Sequence, residues 1–120
     1  MGRWKIEKLR QDTYYELCDL VDVYDFEPCK FLIFTHILKG MLGDPGKNFT
    51  TSPGSVFCTK EEILNYMQEN TIYPKNKVLE CLAELVHEGV VIDVNNRYMI
   101  SPILLSEAKE RARKHSFLIF

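Results

Sequence analysis

Several features that would assign this sequence to a class at once are missing from it. It contains no uninterrupted apolar run of about eighteen residues, the length that a membrane-spanning helix needs. Its first residues, MGRWKIEKLR, are charged throughout, so the pattern of a secretory signal peptide is absent as well. We therefore expect an intracellular protein, in the cytoplasm or the nucleus, that does not bind membranes.

Paired cysteines and catalytic motifs are absent too. The four cysteines lie far apart without a C-x-x-C pair, which is typical of buried thiols in a reducing compartment. The three histidines have no metal-ligand spacing, and no nucleophile motif such as G-x-S-x-G occurs. His36 lies inside an apolar segment, where a single histidine is usually a satisfied core residue. We expect no enzymatic activity, no cofactor, no metal and no small-molecule substrate.

The sequence also lacks the basic excess that most free-standing DNA-binding proteins carry. Its 15 lysines and arginines are outnumbered by 17 acidic residues, which gives a net charge of −2. Any surface that attracts nucleic acid must therefore be local. With 120 residues, 46% of them hydrophobic, the chain has the size and composition of one domain with one core.

The clearest pattern that is present begins at Thr59. Thr59 and Glu62 form a T-x-x-E capping box, which predicts the start of a helix. Pro74 suits the start of a second helix, because its φ is already helical and it has no N–H to satisfy. Apolar residues then recur at helical spacing until Gly89, which predicts a left-handed helix cap.

Two short strands, VVIDV and RYMIS, follow this pair of helices. They are joined by Asn95 and Asn96, which tolerate the positive φ of a tight hairpin turn. Residues Ser55–Cys58 alternate in polarity and are predicted to add an edge strand to the hairpin. Helix, turn, helix and hairpin in this order indicate a winged helix-turn-helix.

Three more helices are predicted outside this unit. The segment from Pro28 to Leu42 is apolar nearly all round, as expected of a helix at the centre of a core. Ser101 and Pro102 have the residue types of a cap and a first helical position, so a last helix should follow them. The first helix should span residues 4–24, with apolar positions at Trp4, Leu9, Leu17, Leu20, Val21 and Tyr24.

We therefore predict an α+β, mostly helical fold in a single domain over residues 1–120. Its centre is a winged helix-turn-helix with a small three-stranded wing sheet and extra helices at both ends. The predicted parts are a helical N-terminal part (3–42), a turn-rich loop (43–54), the winged helix (55–101) and a C-terminal helix (102–116).

If this unit binds DNA, its second helix should enter the major groove. Further along the outer face of that helix, Glu80, Glu84 and Glu88 would be repelled by phosphates. Suitable hydrogen-bond donors occur only in its first turn, at Lys75, Asn76 and Lys77.

Two other places offer positive charge. Arg97 follows the predicted hairpin turn, a position from which an arginine can reach a minor groove. The last helix is the most basic predicted element, and Lys109 and Arg113 could track phosphates from it. We therefore include these three residues in the candidate DNA-binding set.

Three segments occur in an order that is known from one enzyme family: SVFCTKEEILNYM, KVLECLAELVHEGVVI and NRYMISPILLSEAKERA. This order resembles the helical and winged region that precedes the motor in RecD-like superfamily 1 DNA helicases of the DNA helicase B type. Because no Walker A or Walker B segment occurs, the resemblance implies an accessory domain or a fragment without ATPase activity. The residues in corresponding places are Gly54, Phe57, Glu88-Gly89 and Glu107, with Trp4-Lys5 at the start of the preceding helical part.

Three functions are compatible with these patterns. The first is an accessory domain of a DNA-processing machine that contacts the nucleic-acid backbone. The second is a stand-alone winged-helix transcription regulator, with Asn76 and Lys77 reading bases and a homodimer formed through the terminal helices. The third is a protein-interaction module that docks a basic partner through its acidic faces, at residues 19–27 or 80–88. The apolar end, residues 116–120, should pack on the core, pair with a second copy or lead into a further segment.

Overall fold

The computed structural model describes residues 3–43 and 57–118, and the side chains of residues 8–43 and 57–114. These residues form a mostly helical α+β fold, which confirms the predicted class. Of the predicted loop (43–54), only Gly43 lies among the described residues. Of the apolar end (116–120), the backbone of residues 116–118 is described and belongs to the last helix. In chain order the elements are α1 (Arg3–Leu20), α2 (Pro28–Leu42), β1 (Cys58–Thr59), α3 (Lys60–Asn70), α4 (Lys75–His87), β2 (Val91–Val94), β3 (Arg97–Ile100) and α5 (Pro102–Leu118).

Helix α1 ends four residues earlier than predicted. After Leu20 the chain turns through Asp22, which has a left-handed φ of 53°, into a short 3₁₀ turn. The prediction that Tyr24 belongs to a buried helix face was wrong, because Tyr24 is 85% exposed. Aspartates accumulate in this stretch, and negative charge is unfavourable at the carboxyl end of a helix. The apolar spacing alone gave no sign of this break.

Helix α2 occupies the centre of the core, as its apolar sequence predicted. Pro28 is its first residue, and Gly43 ends it with a φ of 99°. The buried apolar side chains of α2 are Cys29, Ile33, Phe34, Ile37, Leu38 and Leu42.

The predicted cap at Thr59 is present in part. The Glu62 N–H donates to Thr59 Oγ1 over 3.2 Å, and α3 begins at Lys60, directly after Thr59. The Glu62 carboxylate accepts from the Cys58 thiol at 3.6 Å, and among the described residues no bond from the Thr59 N–H to this carboxylate completes the capping box. Pro74 is the N-cap residue of α4, which begins at Lys75, and makes no side-chain capping bond. The sequence predicted Pro74 one position later in the motif, as the first helical residue.

Gly89 ends α4 in a Schellman motif. Its φ is 77°, and its N–H donates to the Val86 carbonyl oxygen over 3.1 Å. The next amide, of Val90, reaches back to the Leu85 carbonyl oxygen over 3.1 Å. These two bonds satisfy carbonyl groups that the end of the helix leaves unpaired and turn the chain directly into β2.

The sheet has the order β1-β3-β2, and both pairs of strands are antiparallel. Asn95 and Asn96 have φ values of 55° and 64°, which confirms the predicted turn. The Asn96 N–H also donates to Asp93 Oδ1 over 2.9 Å. The edge strand comprises Cys58 and Thr59, where Ser55–Cys58 was predicted; Ser55 and Val56 lie outside the described residues.

Helices α1 and α5 pack against each other along their lengths. The α5 side of this contact includes Ala108 and Ala112, both fully buried. Small side chains one helical turn apart let the two helix backbones approach closely. The terminal helices, through which the second alternative predicts a homodimer, thus also pack on each other within one chain.

His36 joins α2 to α3. Its ring stacks on the Tyr66 ring, with the centroids 3.9 Å apart and the planes 14° from parallel. Burial lowers the pKa of His36, which favours the neutral ring.

The glycine at the end of α4 can be tested against a glycine inside α2. Neither Gly89 nor Gly40 has a heavy atom within 4 Å of the position of an added Cβ, so only the backbone conformation separates them. Gly89→Ala should lower the free energy of unfolding by about 1–2 kcal/mol, because alanine is strained at positive φ. Gly40→Ala should raise it by about 0.5–1 kcal/mol, because alanine is the better helix former. Urea denaturation of both variants measures this; two changes of the same sign would contradict the assignment.

Candidate nucleic-acid interface

Helix α4 presents one face to the core and the opposite face to solvent. Its buried side chains recur at helical spacing, and most of its contacts are with α2. On the opposite face, Asn76, Glu80, Ala83 and His87 are exposed. This outer face is narrower than predicted, because Glu84 is half-buried.

A buried charge joins α2 to the end of α4. Lys30 is only 8% exposed, and its Nζ donates to Glu88 Oε1. The same ammonium group lies 4.7 Å from the centre of the Phe26 ring. Glu88 therefore compensates a lysine of its own chain, so its carboxylate is a smaller obstacle to a phosphate than the sequence suggested.

A second polar contact joins the start of α2 to the start of α4. Lys77 Nζ lies 2.9 Å from Glu27 Oε2, and the Cys81 thiol donates to Glu27 Oε1 over 3.1 Å. The bond from Lys77 lowers the pKa of Glu27, and the same bond raises the pKa of Lys77. Burial raises the pKa of the Cys81 thiol, so it remains a neutral donor. Lys77 thus lies on the side of α4 that faces α2, with its charge compensated.

Lys75 and Asn76 are exposed at the beginning of α4. No ion pair of Lys75 occurs among the described side chains. The first amides of a helix have no partner within it and carry partial positive charge, which suits a phosphate oxygen. This end of α4 therefore combines a lysine, an amide side chain and unpaired backbone donors.

Arg97 is exposed beside the hairpin turn, as predicted. The backbone of a second basic residue, Lys60, lies close to it, because the Lys60 N–H donates to the Asn96 carbonyl oxygen over 3.0 Å. The side chain of Lys60 is half-buried and lies with Asp93 and Tyr98. Lys60 was not predicted from the sequence, because only the pairing of Thr59 with Arg97 in the sheet brings the start of α3 to the hairpin.

Lys109 and Arg113 are exposed on α5, which packs along α1. Arg113 is 3.8 Å from the Glu110 carboxylate, and Arg111 is 3.3 Å from that of Glu107. Acidic neighbours on the same helix therefore offset part of its positive charge. The structure places these two candidates on a different element from Lys75 and Arg97, and α5 makes no extensive contact with α4.

Within the described part of the chain, no three histidine, cysteine or acidic side chains are arranged to hold a metal ion. No helix there has the length and apolar character needed to cross a membrane.

Comparison of the chain with family models, with curated proteins and with solved structures gives no match.

Replacing Lys30 and replacing Glu88 should lower the free energy of unfolding by different amounts. Glu88→Gln should lower the free energy of unfolding by about 1–2 kcal/mol, because a buried ammonium group loses its carboxylate while water screens part of the loss. Lys30→Met should cost less, because methionine keeps the apolar stem and leaves a carboxylate that is 44% exposed and can be hydrated. Chemical denaturation of both single variants and the double variant tests this. A larger loss in Lys30→Met would contradict it.

Proposed function

We propose that this chain is a non-catalytic winged-helix domain that contacts the nucleic-acid backbone as an accessory part of a DNA-processing machine. The order of elements supports the fold assignment. From α2 to β3 the chain runs helix, strand, helix, helix and hairpin, and β1 joins the edge of the hairpin. This is the order of a winged helix-turn-helix, in which α4 would be the recognition helix and the turn at Asn95 the wing.

One observation carries the proposal: positive groups are exposed at both places where a winged helix meets DNA. Lys75 and Asn76 are exposed at the amino end of α4, and Arg97 is exposed beside the wing, close to the half-buried Lys60. Regular elements hold both groups, so they can bind phosphates without much loss of backbone entropy. The two groups replace the larger candidate set, since Lys77 is paired with Glu27 and the α5 residues lie elsewhere.

Backbone contact is favoured over the reading of a base sequence. The middle of the outer face of α4 carries Glu80 and Ala83, and neither offers a hydrogen-bond donor to a base edge. Glu80 would also lie near phosphates, where its charge is unfavourable. A stand-alone regulator would need more base-reading groups here than one carboxylate, which accepts only from cytosine, and one methyl group.

The resemblance to the region before the motor of RecD-like helicases supports the accessory role. A domain in that place has no need of sequence specificity, because the motor moves along many sequences. Weak, salt-sensitive binding to duplex or single-stranded DNA is the behaviour expected of it.

Four single substitutions that each remove one positive charge test the proposed contacts. Lys75→Gln and Arg97→Gln should weaken the binding of labelled DNA several-fold. Each should also lower the slope of the logarithm of the binding constant against the logarithm of the salt concentration by the amount expected for about one phosphate contact. Lys77→Gln, whose charge is already paired, and Lys109→Gln, on α5, should have much smaller effects. Fluorescence anisotropy at two salt concentrations, with duplex and single strands, measures all four.

Equal losses in the four variants would mean that only net charge matters, and would contradict the proposed contacts. Absence of DNA binding by the parent chain at low salt would contradict the function itself.

A further inference from the structure

A groove runs between α3 and the beginning of α4 and contains a hollow of about 650 Å³. Its floor is apolar and is formed by Leu64, Tyr73 and Val78. The side chains along its α3 rim are polar, namely Glu61, Asn65 and Gln68, and all three are exposed. Such a floor and rim resemble the centre and edge of a protein interface.

An exposed aliphatic residue lies in the turn at the end of the groove. Ile72, between α3 and α4, is 97% exposed and precedes Tyr73, which lines the hollow. A single exposed apolar residue is ordinary, but one at the end of an apolar groove is placed where a partner in the groove can cover it. Covering Ile72 would bury apolar surface that folding of this chain leaves in water.

The charge around the groove selects the partner. Residues 57–100 contain seven acidic and four basic residues, and one of each, Glu88 and Lys77, is paired with a residue outside this range. On α3 the exposed charges are Glu61, Glu62 and Glu69. The potential over the α3 rim is therefore negative, which attracts a basic segment, whereas Lys75 on the α4 rim is the proposed phosphate contact.

Other occupants fit less well. A second copy of the chain would bring acidic α3 surfaces together, at an electrostatic cost. A small molecule would remain largely in water, because the rim residues are exposed and the groove does not close over it.

We infer that this groove docks a basic, amphipathic segment of a partner protein. The segment seats an apolar side chain over Leu64, Tyr73 and Val78 and covers Ile72, while its lysines or arginines lie against the carboxylate of Glu61. This docking site goes beyond the proposed DNA contact. Lys75 also borders the hollow, so the tests leave that residue unchanged.

Selection of short random peptides, displayed on phage, on the full chain provides the probe. The enriched peptides should carry net positive charge and large apolar residues. The binding of a synthetic peptide of the most enriched sequence should weaken about tenfold in Ile72→Ala, the loss expected when a central apolar contact is removed. Ile103→Ala is the matched control, because Ile103 is 79% exposed on α5, and it should leave binding unchanged.

Two substitutions of opposite charge at one rim position distinguish an effect of charge on peptide binding from an effect on folding. Gln68→Lys should weaken binding of the basic peptide and Gln68→Glu should strengthen it, since the side chain lines the hollow and is exposed. Enrichment of peptides without positive charge, equal effects of Ile72→Ala and Ile103→Ala, or the same response to both Gln68 variants would overturn the inference. So would DNA binding that Ile72→Ala abolishes, or a dimer that depends on Ile72. Loss of DNA binding in Arg97→Gln with unchanged peptide binding would separate this site from the proposed nucleic-acid contact.

Discussion

The packing of α4 against α2 determines where the candidate contact residues of α4 lie. The energy of this packing comes mainly from apolar burial, because each fully buried leucine or valine contributes about 1.5–3 kcal/mol. The ion pair between Glu27 and Lys77 is partly exposed, so water screens it and it contributes much less. Its effect is orientation: with the contact between Lys30 and Glu88, it ties both ends of α4 to the amino end of α2.

These two contacts also decide which charges can meet a partner. They compensate the charges of Lys77, a predicted DNA contact, and of Glu88, which was expected to repel phosphates. Exposed positive charge then remains at the amino end of α4 and beside the hairpin, while exposed acidic residues cover α3. One small domain therefore has surfaces of opposite character on neighbouring elements, which suits a protein that contacts nucleic acid on one side and another protein on the next.

The parts of the fold that could be predicted from the sequence are those that local chemistry determines. The cap at Thr59, the left-handed Gly89 and the turn at Asn95 and Asn96 each depend on neighbouring residues, and all three are present. The end of α1 was predicted too late, because apolar spacing continued past the point where Asp22 leaves the helix.

The candidate site was predicted less well, since its geometry depends on residues that are distant in the chain. Lys30 and Glu88 are 58 residues apart, and nothing in either neighbourhood indicates that they meet. Lys60 reaches the hairpin only through the pairing of β1 with β3. Which lysines are paired and which are exposed is therefore a property of the tertiary structure, and composition could only show that any positive surface had to be local.

In the proposed function, the start of α4 and the hairpin together form the nucleic-acid contact. Nuclear magnetic resonance of the isotopically labelled chain can test this contact by following each backbone amide while duplex DNA is added at low salt. We expect the largest shifts at Lys75 and Asn76 and at residues 95–97 and Lys60, with little change along α5. Largest shifts along α5 or α1, or no shifts at all, would contradict it.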